Sequence, residues 1–301
     1  MNNKKNRWDI SQMPDLNGKV AIVTGGNRGL GLEIVMQLLK KNAEVVMASR
    51  NEKKAFQAIA KIHSRIGYTD KVQFIPLNLL EKKSIVNFSA EFKKTYSRLD
   101  FLFNNAALVN LKNLEHTNEG YELQMATNHF APFILTHELF DILLATDNSR
   151  IINVNSGAYK FGTIDFNDLH WSTKKYKRGQ SYGSSKLANL LFTKQLQKKL
   201  TELKSNTIAL SAHPGLSATE RQQSEGMGGI ISKILASPVS KGVESLLRVA
   251  VDKNAKGEEL YGPRYGLCGA SKSLEIKHNE YTDEMSEKLW KYTEEVTGIK
   301  F

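Results

Sequence analysis

The sequence predicts an α/β fold, a single doubly wound domain with a central parallel sheet flanked by helices on both faces. Three observations carry this expectation. From Lys19 onward short apolar runs alternate with longer segments of helical periodicity. A glycine-rich turn joins the first run to the first helical segment, and no internal linker or low-complexity stretch breaks the rhythm. Strands that alternate with helices build right-handed βαβ units, whose strands pair in parallel and are covered on both faces.

Taken in order, "KVAIVTG" from Lys19 reads as a buried strand and "LGLEIVMQLLKK" from Leu30 as a helix. "AEVVMAS" and "VQFIPL" are the next strands, separated by the helical "KAFQAIAKIHSRI". The helical "SIVNFSAEFKKTY", the strand "DFLFNNAA", the long helical stretch "ELQMATNHFAPFILTHELFDILLA" and the strand "RIINVNS" follow. "SYGSSKLANLLF", from Ser181, starts an amphipathic helix, with Leu187, Leu190, Leu191 and Phe192 at helical spacing, and "NTIALSAH" is one more strand. Two segments depart from the rhythm: an insertion at 157–180 and an irregular region at 216–238. Residues 1–18 read as an N-terminal extension, and 19–301 as one domain.

The 301 residues are 41% hydrophobic, enough for a sizeable core. No run approaches the length of a membrane span, and the N-terminal stretch lacks the apolar centre of a secretion signal, so no integral membrane segment and a cytoplasmic location are expected. Cys268 is the one cysteine, which excludes an intrachain disulfide and a CxxC metal site and agrees with a reducing compartment. The seven histidines have no HExxH spacing, and no metal is expected. The net charge of +11 is spread over helix faces, with "KKNR" and "KKYKR" as short clusters, so it reads as a solvated surface that also attracts a phosphorylated cofactor. Nucleic acid is not an expected partner.

"TGGNRGLG", Thr24–Gly31, lies between the first strand and the first helix. Gly25, Gly29 and Gly31 supply a permissive turn, close approach and free amides at a helix N-terminus, as a Rossmann-type pyrophosphate site requires. A tight structural turn is the alternative for the glycines alone. The second strand ends in Ser49 and Arg50, where a site for NAD usually has an acidic residue, and Arg28 adds a second guanidinium within the loop. Guanidinium matches phosphate geometry, so NADP(H) is expected over NAD(H). Tyr182 and Lys186 stand four apart on one helix face and can point at one spot, though the pair alone also fits a solvated tyrosine beside a surface lysine.

Six motifs, "TGGNRGLG", "NNAA" at Asn104–Ala107, Asn128 in "ATNHF", "NVNSGA" around Ser156, "YGSSK" and "HPGLSAT", occur in the order and spacing of the short-chain dehydrogenase/reductase family, which the chain resembles from Lys19 to about Asp252. The glycine spacing resembles its shorter dehydrogenase/reductase branch. The segment between Ser156 and Tyr182, "SKLANLLF" and the C-terminal "KLWKYTEEVTGIKF" resemble its retinol-dehydrogenase-like group.

The resemblance implies that Tyr182 is the acid/base, Lys186 favours its phenolate and holds the nicotinamide ribose, Ser156 hydrogen-bonds the substrate oxygen, and Asn128 seats a water in the proton relay. It further implies cofactor contacts from Asn27, Leu30, Leu79, Asn104 and Ala106, and from Pro214, Gly215 and Thr219 at the nicotinamide. Asn78 stands where the family usually has an aspartate facing adenine, and Asn155 where a second serine is common.

The function implied is hydride transfer between NADP(H) and a carbonyl or alcohol. The alternatives are a cofactor-binding regulator without turnover, and a lyase or epimerase that uses bound cofactor. A homodimer paired through the helices of Asn128 and Tyr182 is implied as well. In this family the region 216–238 covers the nicotinamide end of the cleft. Its Gly226, Gly228 and Gly229 beside Met227, Ile230, Ile231, Ile234 and Leu235 resemble an apolar lid, which implies a small-molecule substrate that is a medium-to-large hydrophobic aldehyde, ketone or alcohol; an ordinary amphipathic helix packed on the domain is the alternative.

Overall fold

The computed structural model describes residues 8–215 and 239–301. The region 216–238, with Thr219 and the glycine-hinged lid expected there, lies outside them.

Strands β1 (Val20–Thr24), β2 (Glu44–Ser49), β3 (Val72–Pro76), β4 (Phe101–Asn104), β5 (Arg150–Val154), β6 (Ile208–Ala212), β7 (Leu260–Pro263) and β8 (Ser271–Leu274) form a sheet in the order β3-β2-β1-β4-β5-β6-β7-β8. Every pairing is parallel except β7 with β8, which is antiparallel, so the all-parallel sheet expected from the sequence is corrected at its last edge. The tip "RYGLC" is short enough for a reversal, whereas a parallel partner needs a crossover of a dozen residues or more. β1, β2 and β4 are apolar and buried nearly throughout, as strands covered on both faces must be, while β3 at the sheet edge is partly exposed.

Helices α1 (Gly29–Leu39), α2 (Glu52–Ile66), α8 (Val239–Gly242) and α9 (Glu244–Val251) accompany one face. Met13 and Leu16 of the N-terminal extension join the core there. The other face carries α3 (Lys82–Thr95), α4 (Leu123–Met125), α5 (Ala131–Glu138), α6 (Phe140–Ala145), α7 (Arg178–Glu202) and α10 (Asp283–Thr297).

The stretch read as one long helix at 122–145 is divided. Ala126–Phe130 is a π-helical turn, and Leu139 leaves helical geometry at φ −107°, ψ 5° between α5 and α6. Its apolar residues are buried all round, so periodicity could not mark the breaks. α7 begins at Arg178, inside the expected insertion, which puts Tyr182 one turn into the helix and not at its head. Nor is α7 amphipathic here, because every residue from Ser181 to Thr193 is buried. α10 accounts for this: Trp290 stacks on Phe192 (5.9 Å, 26°) and meets Phe133 edge-on (5.0 Å), while Phe301 packs against Phe133 (4.9 Å). The outer face of α5 and α7, through which pairing was implied, is thus covered by the chain's own C-terminal segment. Among the described residues no helix is long and apolar enough to cross a membrane.

Candidate functional site

The strand order reverses between β1 and β4, and a cleft of about 550 Å³ opens at the carboxyl ends of these strands. This is where open α/β sheets bind ligands. At its floor, Thr24 Oγ1 accepts the amides of Asn105 (2.9 Å) and Ala106 (3.0 Å), and Asn105 Nδ2 donates to Thr24 O (2.8 Å). These bonds bring the turn after β4 against the glycine turn after β1. A Cβ on Gly31 would collide with the Gly25 carbonyl and lie 2.6 Å from Asn105 Nδ2, while Gly25 itself has φ 66°. The backbone is therefore folded as tightly as these glycines permit, with the first amides of α1 facing the cleft.

Gly25, Asn27, Arg28, Gly29, Leu30 and Gly31 all line the cleft. So do Ser49, Arg50, Asn78, Leu79, Ala106, Tyr182, Lys186 and Pro214. Ser49 Oγ is buried and, among the described residues, has no hydrogen-bond partner, as a group awaiting a ligand would be. Asn78 Nδ2 donates to Glu81 Oε1 (2.6 Å) and its Oδ1 accepts the Leu80 amide (3.3 Å), so the departure from aspartate leaves this side chain tied to its own turn.

Asn104 is not in the cleft wall. Its side chain is buried and donates to Asn153 Oδ1 (2.9 Å) and Thr136 Oγ1 (3.4 Å); the neighbouring Asn105 lines the cleft instead. Sequence reasoning also passed over Lys54, Leu108, Val109 and Thr127, which line it. Lys54 follows Asn51, whose Oδ1 caps α2 by accepting the Lys54 amide (2.8 Å), and it adds a third cation near Arg28 and Arg50.

Lys186 is 2% exposed, donates from Nζ to Val154 O (2.8 Å), and holds that nitrogen 5.7 Å from the centre of the Tyr182 ring. Asn155 explains its own departure from serine: Nδ2 donates to Lys186 O (3.0 Å) and Oδ1 accepts the Ser156 amide (2.7 Å), which fastens the end of β5 to α7. Ser156 caps the short 3-10 turn Gly157–Phe161, its Oγ accepting the Ala158 amide (3.3 Å). Ser156 and Asn128 are not among the residues that line the cleft. Asn128, in the π-helical turn, accepts the Leu108 amide at Oδ1 (2.8 Å) and donates from Nδ2 to Leu108 O (2.8 Å) and Ser185 Oγ (2.9 Å). π turns of this kind often mark functional sites.

Gly215, after Pro214, has φ 71° and does not line the cleft. Its amide donates to His213 Nδ1 (3.2 Å), and burial together with the nearby Lys160 holds this imidazole neutral, with its pKa lowered to about 4. Among the described residues no cluster of His, Cys, Asp or Glu is placed to hold a metal.

A family model described as short chain dehydrogenase matches residues 19–227. Human retinol dehydrogenase 13 is 37% identical over 70% of this chain and 63% of its own length. Human retinol dehydrogenase 12 is 31% identical over 95% of this chain and 88% of its own. A crystal structure of an uncharacterised protein from Mycobacterium paratuberculosis superposes with a TM-score of 0.83 at 29% identity, covering 98% of this chain and 99% of that one. The chain spans 58 to 63% of the length of the first curated relatives it matches. With the sheet order, the glycine turn and the Tyr182–Lys186 pair, these likenesses identify the chain as a member of the short-chain dehydrogenase family, similar to its retinol-dehydrogenase-like group.

Proposed function

We propose that this chain is an oxidoreductase that binds NADP(H) and interconverts a hydrophobic carbonyl compound and its alcohol. When bound, the nicotinamide supplies or accepts the hydride. The observation that carries the proposal is the buried Lys186 ammonium held 5.7 Å from the Tyr182 ring, both on the wall of a cleft whose opposite end is a glycine cradle.

In this reading the Tyr182 hydroxyl gives a proton to the carbonyl oxygen during reduction and takes it back during oxidation. A free phenol with pKa near 10 is a poor base at neutral pH, and the adjacent ammonium favours its ionised form. Lys186 is anchored where its Nζ donates to Val154 O, and from there it holds the nicotinamide ribose. Ser156 Oγ hydrogen-bonds the substrate oxygen as charge develops on it. Asn128 fixes the turn after β4 through Leu108, and a water seated beside it completes the proton path.

Gly25, Gly29 and Gly31 with the amides of α1 hold the pyrophosphate, and Asn27 and Leu30 border it. Arg28 and Arg50, joined by Lys54, hold the 2′-phosphate, and Ser49 offers its unpaired hydroxyl to the same ribose. Asn78, Leu79 and Ala106 flank the adenine end, while Pro214, with Gly215 after it, borders the nicotinamide end. Leu108 and Val109 give the cleft an apolar wall, which supports a hydrophobic substrate. A homodimer would use a surface other than the outer face of α5 and α7.

The test follows NADPH absorbance at 340 nm with a panel of aliphatic and aromatic aldehydes and ketones. Consumption that requires the carbonyl and exceeds that with NADH is expected. Tight cofactor binding with no consumption across the panel would remove the oxidoreductase reading.

A further inference from the structure

The first two turns of α7 hold Tyr182, yet "RGQSYGSSK" is a poor helix former. Two glycines and three serines occupy nine positions, and each glycine weakens a helix by about 1 kcal/mol relative to alanine. Something outside the helix must fix its rotation and height. Asn128 supplies one anchor through Ser185 Oγ, which in turn donates to Tyr182 O (2.8 Å).

Asn155 and Lys186 fasten the stretch to the end of β5, the Thr163 amide donates to Ser184 Oγ (3.0 Å), and at its first turn the anchor is Gln124. It is fully buried, four residues before Asn128, and its Nε2 donates to Ser181 Oγ (2.9 Å) and Tyr176 OH (3.0 Å). Its Oε1 accepts the Leu111 amide (3.4 Å), and Tyr176 OH donates to Leu111 O (3.2 Å). Glu122 orients the segment, its Oε2 accepting the Met125 amide (2.7 Å) while its Oε1 lies 3.4 Å from Gln124 Nε2.

The two amides thus make matching rungs. Gln124 joins Leu111 to Ser181, and Asn128 joins Leu108 to Ser185. Ser181 and Ser185 are four apart and bracket Tyr182. Between the rungs run Leu108 and Val109, which line the cleft.

We infer that Gln124 is a positioning residue for the reaction: with Asn128 it locks the rotation of α7, so that the Tyr182 hydroxyl and the Leu108–Val109 wall keep one relative placement. Tyr176 brings the segment before α7 into the same lock. This rests on Tyr182 being the acid/base. Misplacement of a reacting group by about 1 Å can lower turnover by as much as a hundredfold, so a partial loss is expected when one rung is cut.

The test uses the full chain with Ser181→Ala, which removes the rung's contact on α7 and leaves Gln124 bonded to Tyr176, and Gln124→Leu. Each should lower kcat about tenfold while KM for the carbonyl and Kd for NADPH stay within about twofold, and the double variant should be no slower than Gln124→Leu. In cofactor-free protein, amide hydrogen exchange over 178–186 should quicken in both variants and stay unchanged over β1 and β2. Wild-type kcat in both variants, or exchange over 178–186 equal to wild type, would overturn the inference. Tyr182→Phe in the same assay judges the underlying reading separately: if it keeps wild-type turnover the acid/base assignment fails, while the exchange data still decide whether Gln124 holds α7.

Discussion

Lys186 Nζ lies 5.7 Å from the centre of the Tyr182 ring and donates a 2.8 Å hydrogen bond to Val154 O. The lysine is anchored by the end of β5, so its charge sits at a fixed place beside the phenol. Tyr182→Phe deletes one hydroxyl and leaves the ring packing intact. Turnover should fall by about 10²- to 10⁴-fold, the usual range for a lost general acid/base, with NADPH affinity within a few fold. Lys186→Met should lower both turnover and NADPH affinity. Steady-state kinetics with fluorescence titration of the cofactor measures both, and a Lys186→Met variant that binds NADPH as wild type does would remove its second role.

Arg50 follows the last residue of β2 on the cleft wall, with Arg28 and Lys54 also on that wall. Arg50→Asp puts a carboxylate where a 2′-phosphate would lie and where a ribose hydroxyl could donate to it. NADPH should bind at least about tenfold more weakly, the loss of one charge-assisted contact, while NADH is unchanged or improved. Titration of both cofactors against both proteins checks this. A preference that does not move would shift phosphate recognition to Arg28 and Lys54.

Much of this site was legible in the sequence because its chemistry is carried by short local motifs. The glycine turn, Arg50 and the Tyr182–Lys186 spacing each follow from neighbours within one turn. What the sequence hid depends on contacts between distant segments. Asn104 and Asn105 are adjacent asparagines, and only the end of β4 decides that one faces the buried Asn153 and the other the cleft. Gln124 was overlooked, although its spacing from Asn128 matches that of Ser181 from Ser185. That signal has meaning only once α4 and α7 are known to be neighbours. The departure of α7 from amphipathicity had a similar origin, since α10, about 80 residues further on, covers the face that periodicity assigned to solvent.

Two buried histidines should make stability fall as the solution is acidified below about pH 6.5. His129 is fully buried, its Nε2 paired with Thr293 Oγ1 (2.9 Å), and burial lowers its pKa to about 3; that of His213 is lowered to about 4. Both values lie below the unfolded pKa near 6.5, so the unfolded chain binds more protons between these limits and stability rises with pH there. The contribution is complete above about pH 6.5 and is lost as pH falls toward 4 and then 3. The slope should reach about 3 kcal/mol per pH unit for the two groups together between pH 6 and 4, since each can add about 1.4. Urea unfolding at a series of pH values gives this slope, and His213→Asn should reduce it by about half while its side-chain oxygen can still accept the Gly215 amide. An unchanged slope in that variant would exclude His213 as a source.

The C-terminal segment should matter to stability as a core element, because it covers α5 and α7. Trp290 is 4% exposed, stacks on Phe192, meets Phe133 edge-on and touches Phe301 at 4.9 Å, while Lys199 lies over its ring at 5.0 Å. Phe301 also packs on His137 and Phe140. Trp290→Ala would open a cavity between α5, α7 and α10 that rigid helix backbones cannot close. The expected loss is about 3 to 5 kcal/mol, the range for truncating a buried aromatic residue. Trp290→Phe keeps an aromatic ring against Phe192 and should lose less. Because the freed face is apolar, Trp290→Ala should also self-associate as concentration rises, which sedimentation velocity would detect alongside denaturant unfolding. A loss below about 1 kcal/mol, typical of a surface site, would mean that α10 is dispensable to the core and that the face beneath it tolerates solvent.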